Sequence, residues 1–167
     1  MEEKKEKKEK SVWNNYTAEE KQELFQLNEG YKAFLSQCKT ERESTEEIVR
    51  QAELKGYRNL QDIIKNGESL KAGDKVYATC MKKAVAMFNI GSRNLEEGMS
   101  ILGAHIDTCR LDLKQKPLYE ADGMAYFDTH YYGGIKKYQW VTLPLALHGV
   151  VVKKDGTVVK IVVGENE

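Results

Sequence analysis

The stretch "ILGAHIDTCRLDLKQ", residues 101–115, is where two kinds of sequence meet. A short apolar run closes on His105-Ile106-Asp107, and the chain beyond Asp107 reads as β. Met99 to Ala104, preceded by the loop "GSRNLEEG", predicts a strand buried on both faces, which places His105 at its carboxyl end. Open α/β sheets gather their ligands at that edge. An imidazole there can bind a metal through one nitrogen, while a carboxylate two residues on accepts from the other ring N–H and fixes tautomer and orientation. His105 is therefore the candidate metal ligand and Asp107 the residue that orients it. Alone, H-x-D is a weak motif, because one ligand does not hold an ion that takes four.

Upstream, the pattern is helical. Thr17 with Glu20 forms a capping-box pattern, and Leu24, Leu27, Tyr31, Phe34, Leu35 and Cys38 recur at three and four, which predicts an amphipathic helix. Ser44 and Glu47 repeat the pattern ahead of Ile48, Val49 and Ala52, with Gly56 placed as a left-handed C-terminal residue, so a second, shorter helix is expected. From Lys75 the period changes to two, and "KVYATC" with "AVAMFNI" predicts a hairpin across Lys82-Lys83. Residues 1–10, "MEEKKEKKEK", bury nothing and are expected as a disordered charged tail.

Downstream, "RLDLK", "GMAYFDTHYY", "HGVVVKK" and "TVVKIVV" predict strands, the last two joined by a turn at Asp155-Gly156. Helical periodicity does not return. The change from αβ to β near residue 108 is the expected domain boundary.

Twenty-six basic side chains balance twenty-six acidic ones, so no net field collects nucleic acid or anionic lipid. Cys38, Cys80 and Cys109 are odd in number and far apart, which fits neither a disulfide framework nor a CxxC ribbon and suggests a reducing cytoplasm. No apolar run nears the ~20 residues needed to span a bilayer, so a soluble, cytoplasmic chain without a membrane partner is expected. His130 and His148 fall in alternating β segments, where a hydrogen-bonded structural role is expected over metal ligation. Cys109 lacks the base, orienting group and oxyanion site that a nucleophilic thiol needs, so a partly buried structural thiol is expected. Gly133-Gly134 has neither dinucleotide nor P-loop spacing and is read as a turn or bulge. Tyr131, Tyr132, Tyr138 and Trp140 are read first as packing residues, then as an oligomer interface.

Taken in order, "LGAHIDTCRLDLK", "HYYGGIKKYQW" and "LPLALHGVVVKKDG" resemble the M18 family of zinc aminopeptidases, in particular its bacterial members, over residues 15–167. The resemblance implies an α/β fold. Residues 11–108 would be the start of an α/β/α metallopeptidase domain, and residues 109–167 part of an inserted, mainly β dimerisation domain. It implies a homo-oligomer, often a dimer-based dodecamer, acting on peptide substrates. It makes His105 the first zinc ligand and Asp107 its orienting carboxylate, in a site where two zinc ions polarise the scissile carbonyl and a glutamate is the general base. The remaining ligands and that base are expected beyond residue 167, so the 167-residue chain alone is expected to be inactive. Thr108-Cys109 departs from the Ser-Pro-Cys that many relatives carry. A competing reading is a catalytically inert structural or interaction module of the same fold; another is an unrelated β-rich binding domain with a helical arm.

Overall fold

The computed structural model describes residues 11–165, so the charged tail expected over residues 1–10 lies outside them. The chain divides into two compact units between Gln37 and Cys38.

The first unit holds a 3-10 turn, Val12–Asn15, and helix α1, Ala18–Gln37. The expected capping box is present: the Thr17 N–H donates to Glu20 Oε2 at 2.8 Å, and the Glu20 N–H to Thr17 Oγ1 at 3.2 Å. Trp13 sets its edge against Phe25, with centroids 6.1 Å apart.

The second unit is α/β. Helix α2, Glu41–Leu54, starts earlier than its sequence suggests. The working box is Thr40 with Glu43, whose side chains and backbones cap each other, while Ser44 and Glu47 lie buried inside the helix. Two overlapping T/S-x-x-E signals compete here, and the first prevails because Glu43 also accepts from the Lys39 N–H at 3.0 Å. Glu47 is tolerated inside by Arg50 and Gln51, whose hydrogen bonds bring its pKa down to about 2. Gly56, at φ +83°, ends the helix as expected: its N–H reaches Glu53 O and the Tyr57 N–H reaches Ala52 O.

A short strand β1, Arg58–Asn59, leads into helix α3, Leu60–Lys65, capped by Asn59. Strands β2, Lys75–Cys80, and β3, Ala84–Asn89, form the expected hairpin, and the sheet order is β1-β2-β3, with β1 parallel to β2. Both α2 and α3 pack on this sheet. Ala52, Ile63, Val76 and Tyr77 are buried there, and the Tyr77 hydroxyl donates to Glu53 at 2.6 Å. The turn of the hairpin holds Met81 and Lys82 at φ +51° and +55°, with the Met81 carbonyl accepting from Arg42 of α2 at 3.3 Å.

Met99 to Ala104 is not a doubly buried strand. It carries no strand pairing, and Met99, Ile101 and Leu102 are exposed. Apolar character alone does not make a strand: its backbone groups need a neighbouring strand, and none of the described strands pairs with this segment.

Two separate antiparallel hairpins come next. Strands β4, Arg110–Ala121, and β5, Met124–Tyr132, are joined at Asp122-Gly123, both at positive φ. Their register breaks between Leu113 and Leu118, around Pro117, which has no N–H to give to the ladder. Strands β6, Leu147–Val152, and β7, Val158–Val163, meet as expected at the Asp155-Gly156 turn. Between the hairpins one short helix does return: α4, Lys137–Trp140. No helix among the described residues is long and apolar enough to cross a membrane.

Candidate metal centre

His105 and Asp107 sit in the unpaired segment just before β4. The His105 Nδ1 lies 2.9 Å from the Asp107 carbonyl oxygen and 3.3 Å from its carboxylate Oδ1. Both are acceptors, so this nitrogen carries the proton in the neutral ring and leaves the Nε2 lone pair to face outward. The imidazole side chain is 83% exposed, so that nitrogen is open to an incoming ion.

Asp107 is itself held. The polar groups around it, first its own backbone N–H, then the nearby Tyr132 hydroxyl and His105, keep its carboxyl below the usual aspartate value. Tyr132 answers in the opposite direction: the Asp107 carboxylate pushes the phenol above its ordinary value. The last residue of β5 pairs across the hairpin with Arg110, which lies over its ring at 4.1 Å, so "HIDTC" and "HYYGG" belong to one place. Gly133 shows the same approach, since a Cβ at that position would meet Cys109 Sγ at 3.1 Å. Gly133, at φ +72°, bends the chain just past β5, where room is also needed for a sulfur.

The other candidates lie elsewhere. His130 points to the Tyr131 carbonyl at 3.2 Å, on exposed β5. His148 is spanned by two carboxylates, with Nδ1 3.0 Å from Glu43 and Nε2 2.6 Å from Glu165. Both ring nitrogens are thus hydrogen-bonded to carboxylates. Burial disfavours the imidazolium, but the two carboxylates outweigh this and raise its pKa. Cys109 is exposed. Cys38 is buried; burial, with Glu47 and Glu43 nearby, pushes its thiol up. Tyr131 carries Lys137 over its ring at 4.3 Å, and Tyr138 is exposed.

Among the described residues, no three ligating side chains come together. The donor set fits a first, pre-oriented imidazole ligand and supplies no complete coordination sphere. Sequence reasoning does not find Arg110, whose guanidinium stacks at 4.1 Å on the Tyr132 ring and pairs with Glu41 at 3.0 Å. Only its i+2 neighbour Asp112 could have hinted at it.

The chain is similar to known proteins over most of its length. Residues 34–167 match the family model described as aminopeptidase I zinc metalloprotease (M18). A "Probable M18 family aminopeptidase 1" of Clostridium acetobutylicum is 57% identical over 158 residues, covering 95% of this chain and 34% of the relative. The crystal structure of aminopeptidase I from Clostridium acetobutylicum superposes with a TM-score of 0.79 at 55% identity, covering 95% of this chain and 35% of that one. That of aminopeptidase I from Borrelia burgdorferi B31 gives 0.84 at 39% identity, covering 93% of this chain and 38% of that one. The chain thus spans about a third of the length of the relatives it matches. It belongs to the M18 family of aminopeptidase I zinc metalloproteases.

Proposed function

We propose that this chain supplies the first metal ligand of a metal-dependent aminopeptidase that removes N-terminal residues from peptides. The observation that carries the reading is the His105 ring, whose Nδ1 is turned onto Asp107 and whose Nε2 is open. His105 would hold zinc through Nε2, and Asp107 would keep the ring's tautomer and direction. When bound, a two-zinc centre polarises the scissile carbonyl and makes a water more acidic. The remaining ligands and the general base are assigned to other parts of the full-length protein.

Residues 11–108 are assigned to the metallopeptidase domain and 109–167 to an inserted β domain. In support, the β4–β5 and β6–β7 hairpins share no strand pairing with the β1–β3 sheet. A homo-oligomer built from dimers up to a dodecamer is supported by the apolar side chains that the β4–β5 hairpin leaves exposed, among them Leu118 and Phe127. The free cysteines suit a cytoplasmic setting.

The test measures zinc content and aminoacyl-nitroanilide hydrolysis of the full-length protein, of its His105→Ala variant and of the 167-residue chain. Two zincs and turnover in the first, loss of both in the second and neither in the third are expected. Full zinc content in His105→Ala, or two zincs in the short chain, overturns the reading.

A further inference from the structure

We propose that His148 is a proton-operated latch, closed while both ring nitrogens carry hydrogen, that holds the end of β7 against β6 and the start of α2. The inference is independent of the reading of His105 as a zinc ligand.

Three elements meet at this ring. His148 lies on β6, with Nδ1 3.0 Å from Glu43 Oε1 of α2 and Nε2 2.6 Å from Oε1 of Glu165, just past β7. Lys160 of β7 is 3.3 Å from the same Glu43 oxygen. The register sets Val162 opposite His148 and Lys160 opposite Val150, so His148 and Lys160 leave the hairpin on one face. Gly164, at φ +91°, turns the chain beside Ala146 and lets Glu165 return to the ring. Of the remaining groups around Glu43, Glu47 is engaged by Arg50 at 2.7 Å, and the Cys38 thiol donates to the Glu43 carbonyl at 3.6 Å. Neither β6 nor β7 pairs with another of the described strands, so this corner can open without breaking a second ladder.

A carboxylate only accepts, so an imidazole set between two of them needs a proton on each nitrogen. Once the ring is neutral, one nitrogen presents a lone pair to a carboxylate oxygen. The two carboxylates differ in how they can respond. Glu43, 9% exposed, keeps Lys160 and caps α2 with Thr40, whereas Glu165, 39% exposed, can turn into water. Loss of the proton therefore leaves Nδ1–H on Glu43 and releases Glu165 together with the end of β7. Burial disfavours the imidazolium, yet the carboxylates outweigh it and raise the pKa. The latch is thus closed below the ordinary value of about 6.5 and opens as pH rises through the raised one.

The experiment follows backbone hydrogen exchange of the full-length protein by mass spectrometry at about pH 6 and about pH 9, each rate corrected for that of an unstructured peptide. The variants are His148→Gln, which does not titrate, and Glu165→Gln, whose amide can donate to a neutral ring nitrogen or accept from a charged one. In the parent, protection over residues 158–165 should fall about tenfold at the higher pH, the worth of one charge-assisted hydrogen bond, while residues 75–89 of the β2–β3 hairpin hold theirs. Glu165→Gln should keep the acid level of protection at the higher pH, and His148→Gln should show the open level at both. Equal protection of the parent at both pH values overturns the latch, and so does a Glu165→Gln profile that follows the parent's. An equal loss over residues 75–89 also overturns it, because the change is then global unfolding. Should His148→Gln fail to fold, Glu165→Gln decides the matter.

Discussion

The Nδ1 of His148 stands 3.0 Å from Oε1 of Glu43, joining β6 to the first turn of α2 across 105 positions of chain. Glu43 therefore serves twice, as the capping partner of Thr40 and as a counterion, and Lys160 of β7 reaches the same oxygen at 3.3 Å.

This pairing predicts a stability plateau with two limbs. The folded pKa of His148 is raised, so its contribution is complete below the unfolded value of about 6.5 and is lost as pH rises through the folded value. Burial works against the Glu43 carboxylate, but His148, the Lys39 N–H and Lys160 outweigh it and lower its pKa. Its contribution is present above about 4.5 and lost as pH falls through the folded value. Urea midpoints recorded against pH should show the alkaline limb in the parent and not in His148→Ala. At pH 6 that variant should be about 2 kcal/mol less stable, because Glu43 loses its partner.

Thr40→Ala should cost about 1 kcal/mol in urea denaturation, and Thr40→Ser much less, because serine keeps the oxygen that accepts from the Glu43 N–H. If instead Ser44→Ala carried the larger loss, the helix would begin where the sequence pattern alone places it.

The β2–β3 turn holds Met81 and Lys82 in the left-handed region without glycine or asparagine. Replacing the pair by Asn-Gly should stabilise the fold by about 1 kcal/mol, since Cβ crowding there is relieved. An unchanged urea midpoint would show that the Arg42 contact to the Met81 carbonyl already compensates.

Asp107→Asn should weaken zinc binding of the full-length protein about tenfold and leave metal-free thermal unfolding within a degree or so of the parent. The side chain keeps an oxygen but no longer a full charge to set against the imidazole N–H. Equal zinc affinity would assign the aiming of His105 to the Asp107 backbone carbonyl, which is the closer of the two acceptors at 2.9 Å.

How much of the fold is legible in the sequence depends on the range of the cause. The Thr17-Glu20 box, the Gly56 stop and the Asp155-Gly156 turn rest on neighbours within a few residues, and the structure places them as expected. The start of α2 is hidden because no apolar residue lies between Glu41 and Glu47 to anchor a period. What buries Glu43 there is His148, far along the chain. At Met99 to Ala104 apolarity points to burial, but burial also needs neighbouring strands. At the candidate site, His105 and Asp107 announce themselves by type and spacing, whereas Glu41, Arg110 and Tyr132 meet only through tertiary packing.

The exposed run at Ile101 and Leu102 has a consequence in time as well as in space. At about 5 to 20 residues per second, synthesis brings it out of the ribosome seconds before the two later hairpins. Ile101 and Leu102 stay exposed after both hairpins have formed, so the apolar segment next to His105 remains a handhold for chaperones and a seed for mispairing between chains.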